Sequence, residues 1–508
     1  MSIARSLTCV TLAVDGYPIE VEAHVSDGLV GMHVTGMADT AINEARDRVR
    51  AAITNSGARW PQRRVTVGLS PAALPKHGSG LDLAIAIAIL SADGQLSIPI
   101  PRDAMFLGEL SLDGRVRRSR GSLVAALTAK AHGCTRIYVS AEDADIVALV
   151  EDIEVIAVRH LTEVIVALGG TVEIQEVEVL SGDSVRSERS SEIDFNQVRG
   201  QTWAKFALEV AAAGGHHCAL LGPPGVGKTL LASRMPTILP SLTSADQLQV
   251  AAIHSATGAP ACLEPTPPFA SPHHTASYTA LIGGGSGVPV IGMVSRAHLG
   301  VLFLDEAPEF ASNVLDALRQ PLESGSVIIS RREFSLTLPA RFQLVIAANP
   351  CPCGHALDPH GRCECTPTQR RRYLGKISGP LMDRIDMRII VDSSPLPELM
   401  QSELPESSAE IRARVESARA RMRQRLQGLS WTSNAEIPGP ALRELFPLPR
   451  ASASYFSSRL SRQTSARGFD RVLKISWSLA DLAGRDFPSE EDIEKAILLR
   501  DAQGKWLA

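Results

Sequence analysis

The string GPPGVGKT at residues 222–229 sets three glycines, a lysine and a threonine at G-x-x-x-x-G-K-[ST] spacing. That spacing suits phosphate. Gly222, Gly225 and Gly227 let the backbone bend and turn N–H groups toward phosphate oxygens, and Pro223, Pro224 and Val226 complete the loop. Lys228 offers a positive charge to the β- and γ-phosphates, and Thr229 offers a hydroxyl to Mg2+. The helix expected to start here adds its positive end. An apolar run, HHCALL, stands just before the loop, as the strand that should feed it. ATP with Mg2+ is the expected ligand.

Two further runs end in chemistry of the same kind. VLFLDE (301–306) closes an apolar strand with Asp305 and Glu306. Unpaired buried carboxylates are costly, so a strand ending in two acids asks for a use. Asp305 is expected to hold Mg2+ through water, and Glu306 to act as general base on the attacking water. FQLVIAANP ends in Asn349, whose amide would orient that water. Arg384, in SGPLMDRID (378–386), reads either as an ordinary ion pair between acids or as an arginine finger supplied to a neighbouring subunit.

A fourth group is CPCGHALDPHGRCEC (351–365). Cys351, Cys353, Cys363 and Cys365 stand as two Cys-x-Cys pairs, with His355 as a spare ligand. Four thiolates on one short excursion suit a tetrahedral, structural Zn2+, although the pairs are tighter than the usual zinc-ribbon spacing. Free thiols and a redox disulfide are the alternatives. Arg370, Arg371 and Arg372 follow at once and are candidates to face DNA or a neighbouring subunit.

The elements that must position these residues follow from pattern. With 508 residues, the chain is long enough for two to four domains. Residues 1–170 mix β-like and helical runs; RRVTVGLSPA reads as a strand, and TAINEARDRVRAAITNSG as a helix closed by Gly57. Residues 171–194 are polar and read as a linker. Residues 195–395 carry the three apolar runs, which predict buried parallel strands with ligands at their carboxyl ends. Residues 396–508 read as helical. Ser407 and Glu410 fit a capping box opening a helix crowded with Arg412, Arg414, Arg419, Arg421, Arg423 and Arg425. That basic helix reads as a solvated face or as a phosphate-facing one.

Composition limits the function classes. There are 51 Lys+Arg against 55 Asp+Glu, a formal net charge of −4. This excludes a uniformly basic coat but not a local basic groove. No signal peptide and no membrane-spanning run stands out, and the apolar LDLAIAIAIL is short and carries Asp82. A cytoplasmic protein is expected. The scattered Cys9, Cys134, Cys218 and Cys262 do not look like a secreted disulfide framework.

Long strings resemble the YifB/ComM family of magnesium-chelatase-like AAA+ ATPases. They include SPHHTASYTALIGGG (271–285), AHLGVLFLDEAPEF (297–310), ARFQLVIAANPCPCG (340–354) and RYLGKISGPLMDRIDMRI (372–389). The resemblance implies an α/β protein: a Lon-protease-like α+β domain, a P-loop AAA+ core with a parallel sheet, and a helical lid. It implies a hexameric motor, with Lys228 and Thr229 as Walker A, Asp305 and Glu306 as Walker B, Asn349 as sensor 1 and Arg384 as the finger. Arg331 and Arg332 would tip a hairpin facing a central pore, or else an ordinary exposed turn. ComM-like members imply a DNA branch-migration helicase used in natural transformation.

Two departures matter. Where the family has an arginine in a string like RILKVARTIADL, this chain has RVLKISWSLADL, with Trp477 at that position. The usual sensor 2 is therefore absent, and Arg471 and Arg467 are the available substitutes. In the first third, the Lon pattern puts Gly80 at the nucleophilic serine, with Ser79 one residue off, and Leu123 near the lysine position. A nucleophile without its base is inert, so no proteolysis is expected. Two other functions stay open: a chelatase-type remodeller of a protein partner and a slow regulatory ATPase.

Overall fold

The computed structural model describes residues 2–36, 39–71, 74, 80–177, 193–258, 263–285, 290–330, 335–357, 362–392, 405–459 and 465–501. They fall into two compact units. The first comprises Met1–Arg186 with Leu248–Leu263 and Gly284–Ile291, and the second comprises Ser187–Gln247, Glu264–Gly283 and Gly292–Ala508.

In the first unit a seven-stranded mixed sheet runs in the order Gly31–Thr35, Arg64–Ser70, Asp15–Ser26, Ser2–Leu12, Ala104–Phe106, Arg136–Ser140, Glu154–Val158. Asp15–Ser26 pairs antiparallel with both of its neighbours, and the remaining pairings are parallel. Ile19, Val21, Ala23 and Val25 alternate inward, as a one-sided strand requires. The helix Asp39–Asn55 ends just before Gly57, at φ +79°. The apolar run noted above is the helix Asp82–Ala92, buried along nearly its whole length, so its all-round hydrophobicity belongs to a core. Asp82 is neutralised there by Arg48, whose Nε donates to it at 2.8 Å. Burial nonetheless pushes that carboxyl up to about 6. Among the described residues no helix is long and apolar enough to cross a membrane.

The second unit is built on a five-stranded sheet in the order Phe269–Ala270, Val301–Leu304, Gln343–Ala348, Cys218–Leu221, Met387–Ile390, every pairing parallel. The three runs expected as buried strands are buried at every position. The first strand in sequence lies fourth in space, between the fourth and the fifth. This puts the chain leaving it at the topological switch, where α/β sheets open a crevice at their carboxyl edge.

Helices from the tail pack on this core. Ser408–Arg425 opens with the expected capping box, in which Ser407 and Glu410 satisfy each other's N–H groups. Its arginines correct both sequence readings, since most are neither solvated nor turned to phosphate. Arg412 donates to the carbonyl of Thr237, Arg414 to Glu209 and Glu406, Arg419 to the carbonyl of Ala212, and Arg425 to Asp481 and Asn434. The helix Ala466–Leu482 is joined to the core through buried polar groups. His216 lies 3.0 Å from Asp386 through Nδ1 and 2.7 Å from Ser478 Oγ through Nε2, and Arg471 binds the other oxygen of Asp386. Burial raises Asp386, but Arg471 and His216 outweigh it and hold the carboxyl well below its usual range. Trp477 is core: it is 2 % exposed, packed with Phe446 and Phe487, and capped by the Arg425 guanidinium 4.5 Å from its ring.

Candidate nucleotide site

The strand Cys218–Leu221 delivers the phosphate loop, and the helix Lys228–Ile238 leaves it. Gly225 and Gly227 take φ of +81° and +91°, a region that side chains disfavour. Gly222 is needed for a different reason. A Cβ there would stand 2.1 Å from the carbonyl oxygen of Val391 on the next strand's exit. Gln201 ties the loop down from outside, donating to the carbonyls of Val226 and Asp392.

Three strand ends meet at this loop. Lys228 Nζ donates to the carbonyls of Gly222 and Pro223 at 2.7 and 2.8 Å and to Asn349 Oδ1 at 3.0 Å. Burial lowers the Lys228 ammonium, and the charges of Asp305 and Glu306 oppose that. Thr229 Oγ1 donates to Asp305 Oδ2 at 2.6 Å. A hydroxyl and a carboxylate side by side are the hard oxygen donors Mg2+ prefers, so these residues fit the ion. The backbone N–H of Glu306 donates to Asp305 Oδ1 at 2.9 Å, and Glu306 itself stands at φ +50°. Non-glycine side chains seldom occupy that region.

Sequence reasoning missed several neighbours. His274 Nδ1 lies 3.6 Å from Glu306 Oε2, and its ring packs on His273. The paired histidines of SPHHTAS were the available signal. Gln201 carried none. Arg384 stands apart from the Lys228 group, donating to the carbonyl of Pro380 and pairing with Glu323. Arg471 is committed to Asp386, and Arg467 pairs with Asp383 at 3.4 Å. Arg331, Arg332 and Ser79 lie outside the described residues, whereas the hairpin Ser326–Ser330 with Ser335–Pro339 is formed as expected. Gly80 faces Ser119 and Leu107, and Leu123 is fully buried among apolar groups. Arg371 and Arg372 are exposed. Ser478, His216 and Asp386 have the spacing of a hydrolytic triad, but all three are buried, which fits a structural joint.

The four cysteines come together. The Sγ atoms of Cys351, Cys353, Cys363 and Cys365 all lie within 4.8 Å of one another. Burial pushes the Cys351 thiol up to about 12, whereas the backbone N–H of His355 draws Cys353 down to about 6.

A parallel sheet in this order, with a phosphate loop at the switch, Asn349 ending the adjacent strand and two acids ending the strand beyond it, defines a P-loop nucleotide-binding protein with an AAA+ core. Family models described as "Magnesium chelatase, subunit ChlI", "Subunit ChlI of Mg-chelatase" and "Magnesium chelatase, subunit ChlI C-terminal" match residues 194–399, 21–143 and 405–500. The chain is 45% identical over 506 residues to an uncharacterized protein of Mycobacterium tuberculosis, covering 98% of this chain and 99% of that one. It is 40% identical over 504 residues to the uncharacterized protein YifB of Escherichia coli and 37% over 502 to the competence protein ComM of Haemophilus influenzae. Each of those matches covers 98% of this chain and 97% of the relative. A Lon protease of Rhizobium meliloti is 30% identical over 164 residues, 30% of this chain and 20% of the protease. The chain belongs to the YifB/ComM family of magnesium-chelatase-like AAA+ proteins, with a Lon-like N-terminal region. Membership implies ATP and Mg2+ as ligands.

Proposed function

We propose that this protein is an ATP-hydrolysing, ring-forming motor that acts on DNA, a branch-migration helicase of the ComM kind. The observation that carries the ATPase reading is the meeting of Lys228, Thr229, Asp305, Glu306 and Asn349 at one sheet edge. In this reading the loop 222–229 cradles the phosphates, and Thr229 and Asp305 hold Mg2+. Glu306 takes the proton of the attacking water, and Asn349 orients that water. Lys228 offsets charge on the β- and γ-phosphates. Arg384 stands outside that group, which supports its service to a neighbouring subunit's site and hence a ring, a hexamer by family resemblance. Zn2+ at the four cysteines completes the set. The DNA reading rests on the full-length similarity to a competence protein. The protein works in the cytoplasm, and its Lon-like domain serves assembly or guidance of the substrate.

The test is ATP hydrolysis with and without single-stranded and branched DNA, with Lys228→Ala as the blank. Stimulation by DNA that is lost in the variant supports the motor. Turnover indifferent to DNA overturns it in favour of a remodeller of a protein partner. Nucleotide binding with little turnover under any condition favours a regulatory role, the reading that Trp477 in place of the family's arginine supports.

A further inference from the structure

The excursion after Asn349 has no helix or strand among its described residues until the helix Pro367–Leu374. Cys351 is buried, Cys353 is exposed and Cys363 and Cys365 are intermediate, so no apolar core explains why four sulfurs converge. The Sγ separations are 3.3 Å for Cys351–Cys353, 3.7 Å for Cys351–Cys363 and 3.6 Å for Cys353–Cys363. A disulfide needs about 2.0 Å. A tetrahedron of thiolates around zinc, with bonds of about 2.3 Å, has edges of about 3.8 Å. The observed spacings are close to that polygon. The local backbone serves it too: Gly354 N–H donates to the carbonyl of Cys351 at 3.0 Å, and Gly354 turns through φ +83°.

A second observation gives the cluster a task. A Cβ on Gly354 would stand 2.6 Å from Pro224 Cδ, so the cysteine loop lies directly on the phosphate loop. The same excursion begins two residues after Asn349, the partner of Lys228 Nζ. The loop thus touches the phosphate cradle at Pro224, and the strand end that feeds it touches Lys228.

We infer that Cys351, Cys353, Cys363 and Cys365 bind one structural zinc ion, and that this ion clamps the phosphate loop in its nucleotide-binding form through Gly354 and Asn349. The inference rests on the reading of 222–229 as the nucleotide site. Four protein ligands leave no open position, so the ion takes no part in hydrolysis. Three of the four cysteines are exposed or partly exposed, which gives the metal and its competitors a way in and out.

The experiment uses the full chain, purified without chelator. Metal content is measured first. Affinity for a fluorescent ATP analogue with Mg2+ is then measured before zinc removal by a zinc-selective chelator, after it, and after zinc is returned. One zinc per chain, with affinity falling by about tenfold or more on removal and recovering on return, supports the inference. Gly354→Ala separates the clamp from the metal. It should keep its zinc yet bind the analogue more weakly, because its new methyl meets Pro224. Protein that neither carries nor takes up zinc overturns the site. Iron in its place, visible by colour, overturns the choice of metal. Zinc removal that leaves affinity unchanged overturns the clamp. Zinc-loaded protein that binds no nucleotide fails at the phosphate site instead, and takes the clamp with it.

Discussion

Lys228 has three oxygen partners, two in its own loop and one on Asn349, so its ammonium is held where a β- or γ-phosphate would meet it. Lys228→Ala should abolish measurable binding of ATP, read by fluorescence titration. Glu306 is different, because its carboxylate is about half exposed and makes no contact with the loop's lysine in the described geometry. Glu306→Gln should keep ATP affinity within about threefold and lower kcat by about 100- to 10,000-fold, the range for losing a general base. An unchanged kcat would remove Glu306 from that role. His298 gives a prediction about stability. Burial, followed by the Arg341 charge, lowers it to about 4, and its Nδ1 accepts the Arg341 N–H at 3.1 Å. The unfolded chain binds this proton at a pKa of about 6.5, so the native state binds fewer protons between these values. Stability from this group is present above about pH 6.5 and is lost as pH falls toward 4. His298→Asn keeps an acceptor without the titration. Its urea midpoint should fall less than the wild type's between pH 7 and 5.

Among the elements, the helix Ser408–Arg425 shows most clearly what one sequence conceals. Its cap was legible, because Ser407 and Glu410 need only each other. Its six arginines looked alike, since partners such as the Thr237 and Ala212 carbonyls come from distant chain and leave no trace in local pattern. The structure separates them. Arg425 serves Asp481, which is buried, whereas Arg421 is exposed and lies 3.8 Å from Asp486, which is more exposed still. Arg425→Ala should cost about 3–5 kcal/mol in urea unfolding, the scale for stranding a buried charge. Arg421→Ala should stay within about 0.5 kcal/mol. The strands were legible for the opposite reason: strands buried on both faces read as continuous apolar runs, and their polar ends mark the sheet edge. Trp477 was legible as a departure but not as a core residue. Placing the family's arginine there would bury a second guanidinium beside Arg425. Trp477→Arg should therefore lower stability, read as a lower urea midpoint, with no gain in ATP turnover.

At the scale of the whole molecule, we propose that the Lon-like region carries the fold without the protease chemistry. The position matched to the nucleophile is Gly80, and that matched to the base is the fully buried Leu123. The full chain should neither cleave casein nor be labelled by a fluorophosphonate probe, with or without ATP. Labelling at Ser79 would overturn this. The sequence pointed to the family through long strings, but not to the make-up of the units. The described residues within 248–263 and 284–291, read along the chain as part of the central domain, group with the first unit. Linear boundaries cannot express an exchange of that kind.

The buried joint of His216, Asp386, Arg471 and Ser478 has a mechanical consequence. To swing the helix Ala466–Leu482 away from the sheet would pull Arg471 off a carboxylate that has almost no access to water. Separating such a pair costs several kcal/mol before any other contact is lost. The joint is thus a weld, and the tail and the sheet edge should travel as one lever arm. If nucleotide chemistry moves this unit, the compliance has to lie outside this joint.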